Sequence, residues 1–328
     1  MKYLVTGSSG HLGEALVRVL RDNGEDVSSI DIIDGAFTSH TGSIVDRDFV
    51  RERMKGVDAV LHAATLHKPH VATHTRQDFV DVNISGTLNL LEEARAQGVS
   101  SFIFTSTTSA FGNALTPPPG APAAWITEDV APQPKNIYGV TKLAAENLCE
   151  LFHRKDGLPC LVLRTSRFFP EDDDNRERRN AYDSDNMKAN ELLHRRADLE
   201  DIVSAHLAAA ARAPEIGFDR YIISATSPFQ HEDLAGLRTD APAVLRRYAD
   251  FDGIYERLGW TMFASIDRVY RNDKARAALG WRPKHDFNTV LARLDAGEPL
   301  MSPLAQTVGA KGYHDADFDG VDGPYPVE

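Results

Sequence analysis

Short apolar runs alternate with helical 3.6-residue patterns through roughly the first 170 positions of this chain. That order predicts an α/β fold, a doubly wound parallel sheet. The apolar runs place strands at Lys2 to Val5, Val27 to Ile30, Ala59 to His62, Ser101 to Thr105 and Cys160 to Arg164, with a later one at Arg220 to Ser224. Helical spacing fills the gaps, most clearly over Asn83 to Gln97 and Tyr138 to His153. The alternation breaks at Thr116 to Pro122, where clustered prolines predict a stiff surface flap. Beyond about Phe168 it loosens, and Phe229 to Leu294 reads as short helices around a turn at Leu279 to Pro283. The expected division is a sheet domain over 1–167, with a strand and helix returning to it at about 198–226. A smaller region follows from 168–197 and 227–300, and 301–328, rich in Gly, Pro and Asp and without periodicity, reads as a flexible acidic tail.

Composition narrows the picture. The 328 residues are 42% apolar, enough for one large α/β unit with an appendage. No apolar stretch approaches the length of a membrane span, so no membrane partner is expected and the expected location is cytoplasmic. A net charge of −12 without a basic stripe argues against a nucleic-acid partner. Cys149 and Cys160 have no metal-like spacing and predict no disulfide. Arg176, Arg178 and Arg179 beside the acidic run Glu171 to Asp174 read as a solvated loop or lid. His67, His70 and His74 crowd together, but Pro69 interrupts helical spacing between the first two, and no metal site is expected.

The first strand runs into Thr6-Gly-Ser-Ser-Gly-His-Leu-Gly13 and then an apolar helical run through Leu16, Val19 and Leu20. In that context Gly7 permits the tight turn, Gly10 admits a pyrophosphate to the backbone, and Gly13 lets helix and sheet pack closely. The N–H groups at His11 and Leu12 open the helix and receive negative charge. The second strand ends on Asp31, eighteen residues past Gly13. A carboxylate there bonds ribose hydroxyls and repels a 2′-phosphate, which favours NAD over NADP, with Asp34 as a rival.

Tyr138 and Lys142 are four residues apart and share one helix face. Ionising a phenol near neutral pH needs roughly 4 kcal/mol of differential stabilisation. An ammonium about 5 Å away at an effective dielectric of about 20 supplies around 3 kcal/mol. Upstream, Phe102 to Ser109 ends in a hydroxyl cluster at the carboxyl end of its strand, where ligands of parallel sheets bind.

Together the glycine turn, Asp31, His62-Ala-Ala64 after the third strand, the hydroxyl cluster and Tyr138-x-x-x-Lys142 resemble an extended short-chain dehydrogenase/reductase. Within that superfamily the chain is most similar to the NAD-dependent epimerase/dehydratase group that includes UDP-galactose 4-epimerase. The resemblance implies a Rossmann domain followed by a substrate-binding region. It implies Tyr138 as acid/base, Lys142 on the nicotinamide ribose, and Thr107 as the hydroxyl that orients substrate, with Ser106 the runner-up. It also sets Asp31 and Ile32, Ala63 and Ala64, Asn83 and Thr105 at the cofactor, and Ser43 and Ile44 where the family often carries an acidic residue near the adenine. A homodimer through the Asn83 and Tyr138 helices is implied as well, for which Leu88, Leu91, Leu143 and Leu148 offer apolar stripes.

The implied chemistry is proton removal from a secondary alcohol by Tyr138 while hydride leaves the carbinol carbon. Dehydration is disfavoured, because Thr108 and Ser109 stand where sugar 4,6-dehydratases carry an Asp-Glu pair. His67, Lys68 and Thr108 are candidate substrate contacts. Arg167 replaces the family's asparagine, and with Arg195 or Arg196 it is a candidate clamp for a substrate anion. The first expectation is an epimerase or dehydrogenase acting on a sugar or sugar nucleotide. The second is a dehydrogenase of a small hydroxy acid, uronate or hydroxy amino acid, since the Tyr138 stretch also resembles short-chain L-threonine dehydrogenases. A non-catalytic NAD-sensing protein is the remote third.

Overall fold

The computed structural model describes residues 1–173 and 175–312. Among the described residues nine strands form in chain order: β1 Lys2–Thr6, β2 Asp26–Asp31, β3 His40–Thr41, β4 Ala59–His62, β5 Ser101–Thr107, β6 Ala124–Ile126, β7 Cys160–Thr165, β8 Phe218–Ile223 and β9 Arg268–Tyr270. Seven of them make one parallel sheet in the order β3-β2-β1-β4-β5-β7-β8. Every residue of β4 and β7 is buried, which is why these segments read as continuous apolar runs: a parallel sheet is covered on both faces.

Helices Arg47–Arg53, Thr87–Gln97 and Ile137–Asp156 pack on one face, around Leu4, Val60, Phe102 and Val162. Helices His11–Asp22 and Leu199–Ile216 pack on the other, around Val5, Leu61, Ile103 and Leu163. Strand order reverses between β1 and β4, so a crevice opens beyond Thr6 and His62, which face each other in the register. A smaller lobe is built on Met187, Leu193, Phe229, Leu245, Tyr255 and Phe263. Its β6 and β9 pair in parallel, and three residues each are too short for a period to show in sequence.

Two expectations change. Within the segment read as an aperiodic tail, Pro303–Val308 is a helix. Pro303 opens it, Ser302 caps it by accepting from Ala305 N, and Ser302 in turn donates Oγ to Asp198 at 2.5 Å. Ala305 and Val308 join the core beside the first helix, whereas 313–328 lie outside the described residues. Of the leucines offered as an interface stripe, Leu91 is buried in the core and Leu88 is exposed, with Val140 and Leu151 exposed on the neighbouring helix.

Candidate active site

The turn after β1 is set by close approaches. Gly7 has φ +76°, and a Cβ on it would meet Ala64 N at 2.7 Å; a Cβ on Gly13 would lie 1.9 Å from Gly7 O. Gly10 is different. Its Cβ would meet nothing closer than Gly7 O at 3.4 Å, so the packing of the chain does not demand glycine there. Gly10 is exposed and is the N-cap of the first helix, with no side-chain cap on the turn that contains His11, Leu12 and Gly13. An uncapped helix start behind an exposed glycine suits a pyrophosphate. Asp31 accepts from Ser9 N and Ile33 N, both at 2.9 Å, which fixes its carboxylate beside this turn. Asp34 lies in the exposed loop beyond, and Ile32 is 69% exposed next to Asp31. These residues fit a dinucleotide.

Past β4, Ala64 N donates to Thr6 Oγ1 at 3.1 Å, and the same hydroxyl meets His62 Nδ1 at 2.8 Å across the crevice floor. Asn83 is buried and fully used: it accepts from Thr65 Oγ1 at 2.9 Å and Leu66 N at 2.8 Å, and donates to Leu66 O and to Thr141 Oγ1, each at 3.1 Å. It thus ties the loop after β4 to the Tyr138 helix. Residues Val80–Gly86 around it form a π-helical turn, an irregularity that often marks functional sites.

Tyr138 follows the N-cap Asn136, whose side chain accepts from Gly139 N at 3.1 Å. Thr107 is the side chain that lowers the proton affinity of the Tyr138 phenol. Thr107 Oγ1 also accepts from Ser109 N at 3.0 Å, and Lys142 Nζ sits 4.1 Å from the Phe104 ring centre. Ser106, the runner-up, points to the opposite side of β5 and donates to Glu146 at 2.5 Å. Strand alternation sends the two hydroxyls to opposite sides.

Electrostatics depart from the sequence estimate. Burial pushes the Tyr138 phenol up to about 12, with only Thr107 opposing it. Burial pulls Lys142 down to about 7, against the raising influence of Glu146 and Cys149. Residue spacing registers the attraction between ammonium and phenolate but not the cost of taking both from water. In the cofactor-free chain the phenol therefore holds its proton, and Lys142 titrates near neutrality.

His67 stands over Tyr138 with ring centres 6.2 Å apart, and Phe169 meets it edge-on at 5.7 Å. Burial, then His70 and Lys142, lower His67 to about 3, so it is a neutral imidazole. Lys68 opens the short turn Lys68–Ala72 beside it. Thr108 Oγ1 donates to Thr165 O at 3.4 Å, and Thr105 Oγ1 is within 2.9 Å of His206 Nε2 on the Leu199–Ile216 helix. Ile44 fills the space against Gly86 and belongs to the core, while Ser43 Oγ accepts from Val45 N at 3.1 Å.

The arginines are matched by acids. Arg167 Nη1 donates to Asp173 at 2.6 Å, Arg195 to Glu191 and to Asp173 (3.3 Å), and Arg196 Nε to Glu191 at 2.9 Å. Burial alone would raise Glu191, yet Arg195, Arg196 and Arg167 hold it well below the usual carboxylate range. The acidic run expected as a solvated loop is partly interior, since Asp173 is 3% exposed. Its contiguous charges hid that in sequence. Glu171, from the same run, reaches His11 at 2.8 Å, a contact that no spacing signals.

A parallel sheet with an uncapped glycine turn at its switch point defines a dinucleotide-binding α/β protein of the Rossmann type. The pattern of the NAD dependent epimerase/dehydratase family matches residues 3–216; the chain belongs to that family, and NAD is its cofactor. UDP-glucose 4-epimerase of Streptomyces lividans is 30% identical over 158 residues, 45% of this chain and 46% of that protein. Sterol demethylase protein B of Methylococcus capsulatus is 34% identical over 155 residues, 45% of each. The chain thus spans about half the length of the curated relatives it matches. Among solved structures, UDP-N-acetylglucosamine 4-epimerase from Bacillus cereus aligns with a TM-score of 0.63 at 20% identity, over 90% of this chain and 98% of that one. A short-chain dehydrogenase/reductase from Agrobacterium tumefaciens with bound NAD aligns with 0.64 at 23% identity, over 90% and 96%. At these identities the likeness is one of fold. Among the described residues, no helix is long and apolar enough to cross a membrane.

Proposed function

We propose that this protein is an NAD-dependent epimerase or dehydrogenase acting at a secondary alcohol of a sugar nucleotide or sugar derivative, with Tyr138 as acid/base. The observation that carries the reading is a buried Tyr138 phenol whose proton affinity Thr107, at the carboxyl end of β5, lowers, with Lys142 buried one helical turn along the same face. Residues Gly7 to Gly13, Asp31, Ile32, Ala63 and Ala64 would hold the cofactor, with Asn83 fixing the loop that carries the alanines. NAD, when bound, supplies a hydride acceptor.

The chain's own part is proton handling. Thr107 Oγ1 orients the substrate hydroxyl, and Tyr138 Oη removes its proton and later returns one. A phenol held near 12 needs added positive charge to act as a base at neutral pH, and an ammonium at Lys142 provides it. His67, a neutral imidazole over the phenol, is placed to contact the same hydroxyl or its neighbour.

The names of the UDP-sugar epimerases among relatives and structural neighbours support a sugar nucleotide. An arginine clamp on a small substrate anion is less favoured, because Arg167 and Arg195 already face Asp173 and Glu191. Exposed Leu88, Val140 and Leu151 on adjoining helices support a homodimer across that face.

The test is Tyr138→Phe assayed on UDP-sugars with NAD, following absorbance and product stereochemistry. Turnover should fall at least about 10³-fold while NAD affinity stays within a few-fold. Retained turnover removes Tyr138 as the base. In the wild type, isomerised product without net NADH means epimerase; accumulating NADH means dehydrogenase.

A further inference from the structure

One helical turn beyond Lys142, on the same face, Glu146 is completely buried. Three side chains from three strands converge on its carboxylate. Arg164 of β7 donates Nε at 3.0 Å and Nη2 at 2.7 Å, Arg220 of β8 donates Nε at 3.3 Å, and Ser106 of β5 donates Oγ at 2.5 Å. Ser106 directly precedes Thr107, and its carbonyl accepts from Thr165 Oγ1 at 3.0 Å. The carboxylate is therefore immobile relative to the strand and the helix that carry the site. Fold stability gives little reason for such an arrangement, because a buried ion pair is often replaceable by apolar side chains without loss.

The surroundings of the Lys142 amine give a better reason. From its own helix Tyr138, Glu146 and Cys149 are its titratable neighbours; from β4 and the loop beyond come His62 and His67, and from β5 the Phe104 ring. Glu146 is the carboxylate in that set. Burial keeps both imidazoles below their ordinary range, and Lys142 opposes their protonation further.

We propose that Glu146 is a positioning residue for the Tyr138–Lys142 pair, clamped by Ser106 and Arg164 so that its charge stands as the fixed counter-charge of an ammonium at Lys142. This rests on the acid/base reading above, which needs that ammonium.

Lysine labelled with ¹³C at Cε reports the amine directly, in the full chain with and without NAD. The Lys142 resonance is assigned by its loss in Lys142→Arg. In Glu146→Gln the titration midpoint should fall by roughly one unit or more, and Glu146→Asp should restore most of the shift. Because Glu146→Gln strands the buried Arg164, the double variant Glu146→Leu/Arg164→Met covers the case in which it fails to fold, with a smaller downward shift expected because the positive charge of Arg164 leaves as well. Arg220→Met, at a partly exposed position, removes a neutralising charge from Glu146 and should raise the midpoint by a few tenths. A wild-type midpoint in any folded variant that changes the charge at Glu146, or no change in Arg220→Met, overturns the proposal. The readout is independent of turnover, so loss of the Tyr138 reading through an active Tyr138→Phe is a separate result.

Discussion

His11 Nε2 and Glu171 Oε1 lie 2.8 Å apart, joining the start of the first helix to the loop after β7. The same oxygen accepts from Lys311 N at 2.9 Å and Gly312 N at 3.3 Å, while Lys311 Nζ reaches Glu14 on the first helix. One carboxylate gathers three segments distant in sequence.

Glu171→Gln should accordingly cost about 1–3 kcal/mol and speed amide exchange in the Pro303–Val308 helix. Burial pushes the Glu171 carboxyl up, but His11 and Lys311 N outweigh it and leave it below the ordinary range. A depressed carboxylate stabilises above its unfolded pKa and loses that contribution as pH falls through the folded value. The difference in thermal midpoint between wild type and Glu171→Gln should persist from pH 7 to 5 and shrink below about pH 4.

Lys142→Met should stabilise the cofactor-free protein while abolishing turnover. Burial lowers Lys142 to about 7, so between there and its unfolded pKa the folded chain binds fewer protons than the unfolded chain. Wild-type stability then rises with pH through that window. The variant's gain, about 1–2 kcal/mol at pH 7, should be larger at pH 6 than at pH 9 in paired thermal melts. A gain that grows with pH would refute the burial argument.

Asp31→Ala should raise NADP affinity about tenfold or more and weaken NAD, as read by calorimetric titration of both nucleotides. Unchanged discrimination would shift the role to Asp34.

Asn83→Ala removes four hydrogen bonds from a buried site. It should cost about 2–4 kcal/mol in denaturant unfolding and weaken NAD binding, since Ala63 and Ala64 lose their brace. Intact NAD affinity in a destabilised variant would confine Asn83 to folding.

The parallel sheet was legible because fully buried strands such as Ala59–His62 are unbroken apolar runs between glycine and helix signals. Thr107 was separable from Ser106 only once strand alternation was known, because both carry the same chemistry at adjacent positions. The arginines were half legible: their charge marked the loop, but their partners Asp173 and Glu191 sit six and four residues from Arg167 and Arg195, the first in an irregular segment and the second in the last turn of the Ser184–Leu192 helix, and their burial is not signalled by their charge. The Pro303–Val308 helix is too short for periodicity and owes its place to Asp198, a contact 104 residues back. The proton affinities of Tyr138 and Lys142 depend on burial, which spacing does not encode.

The pairing of β6 with β9 has a kinetic meaning. Ala124 meets Arg268, 144 positions further along the chain, so the smaller lobe closes a far longer loop than β1 with β2, which are joined after a single helix. Loop closure of that length comes late. A chain emerging from the ribosome can assemble the sheet through β7 before β9 exists, and the sheet then serves as the template on which the smaller lobe completes itself.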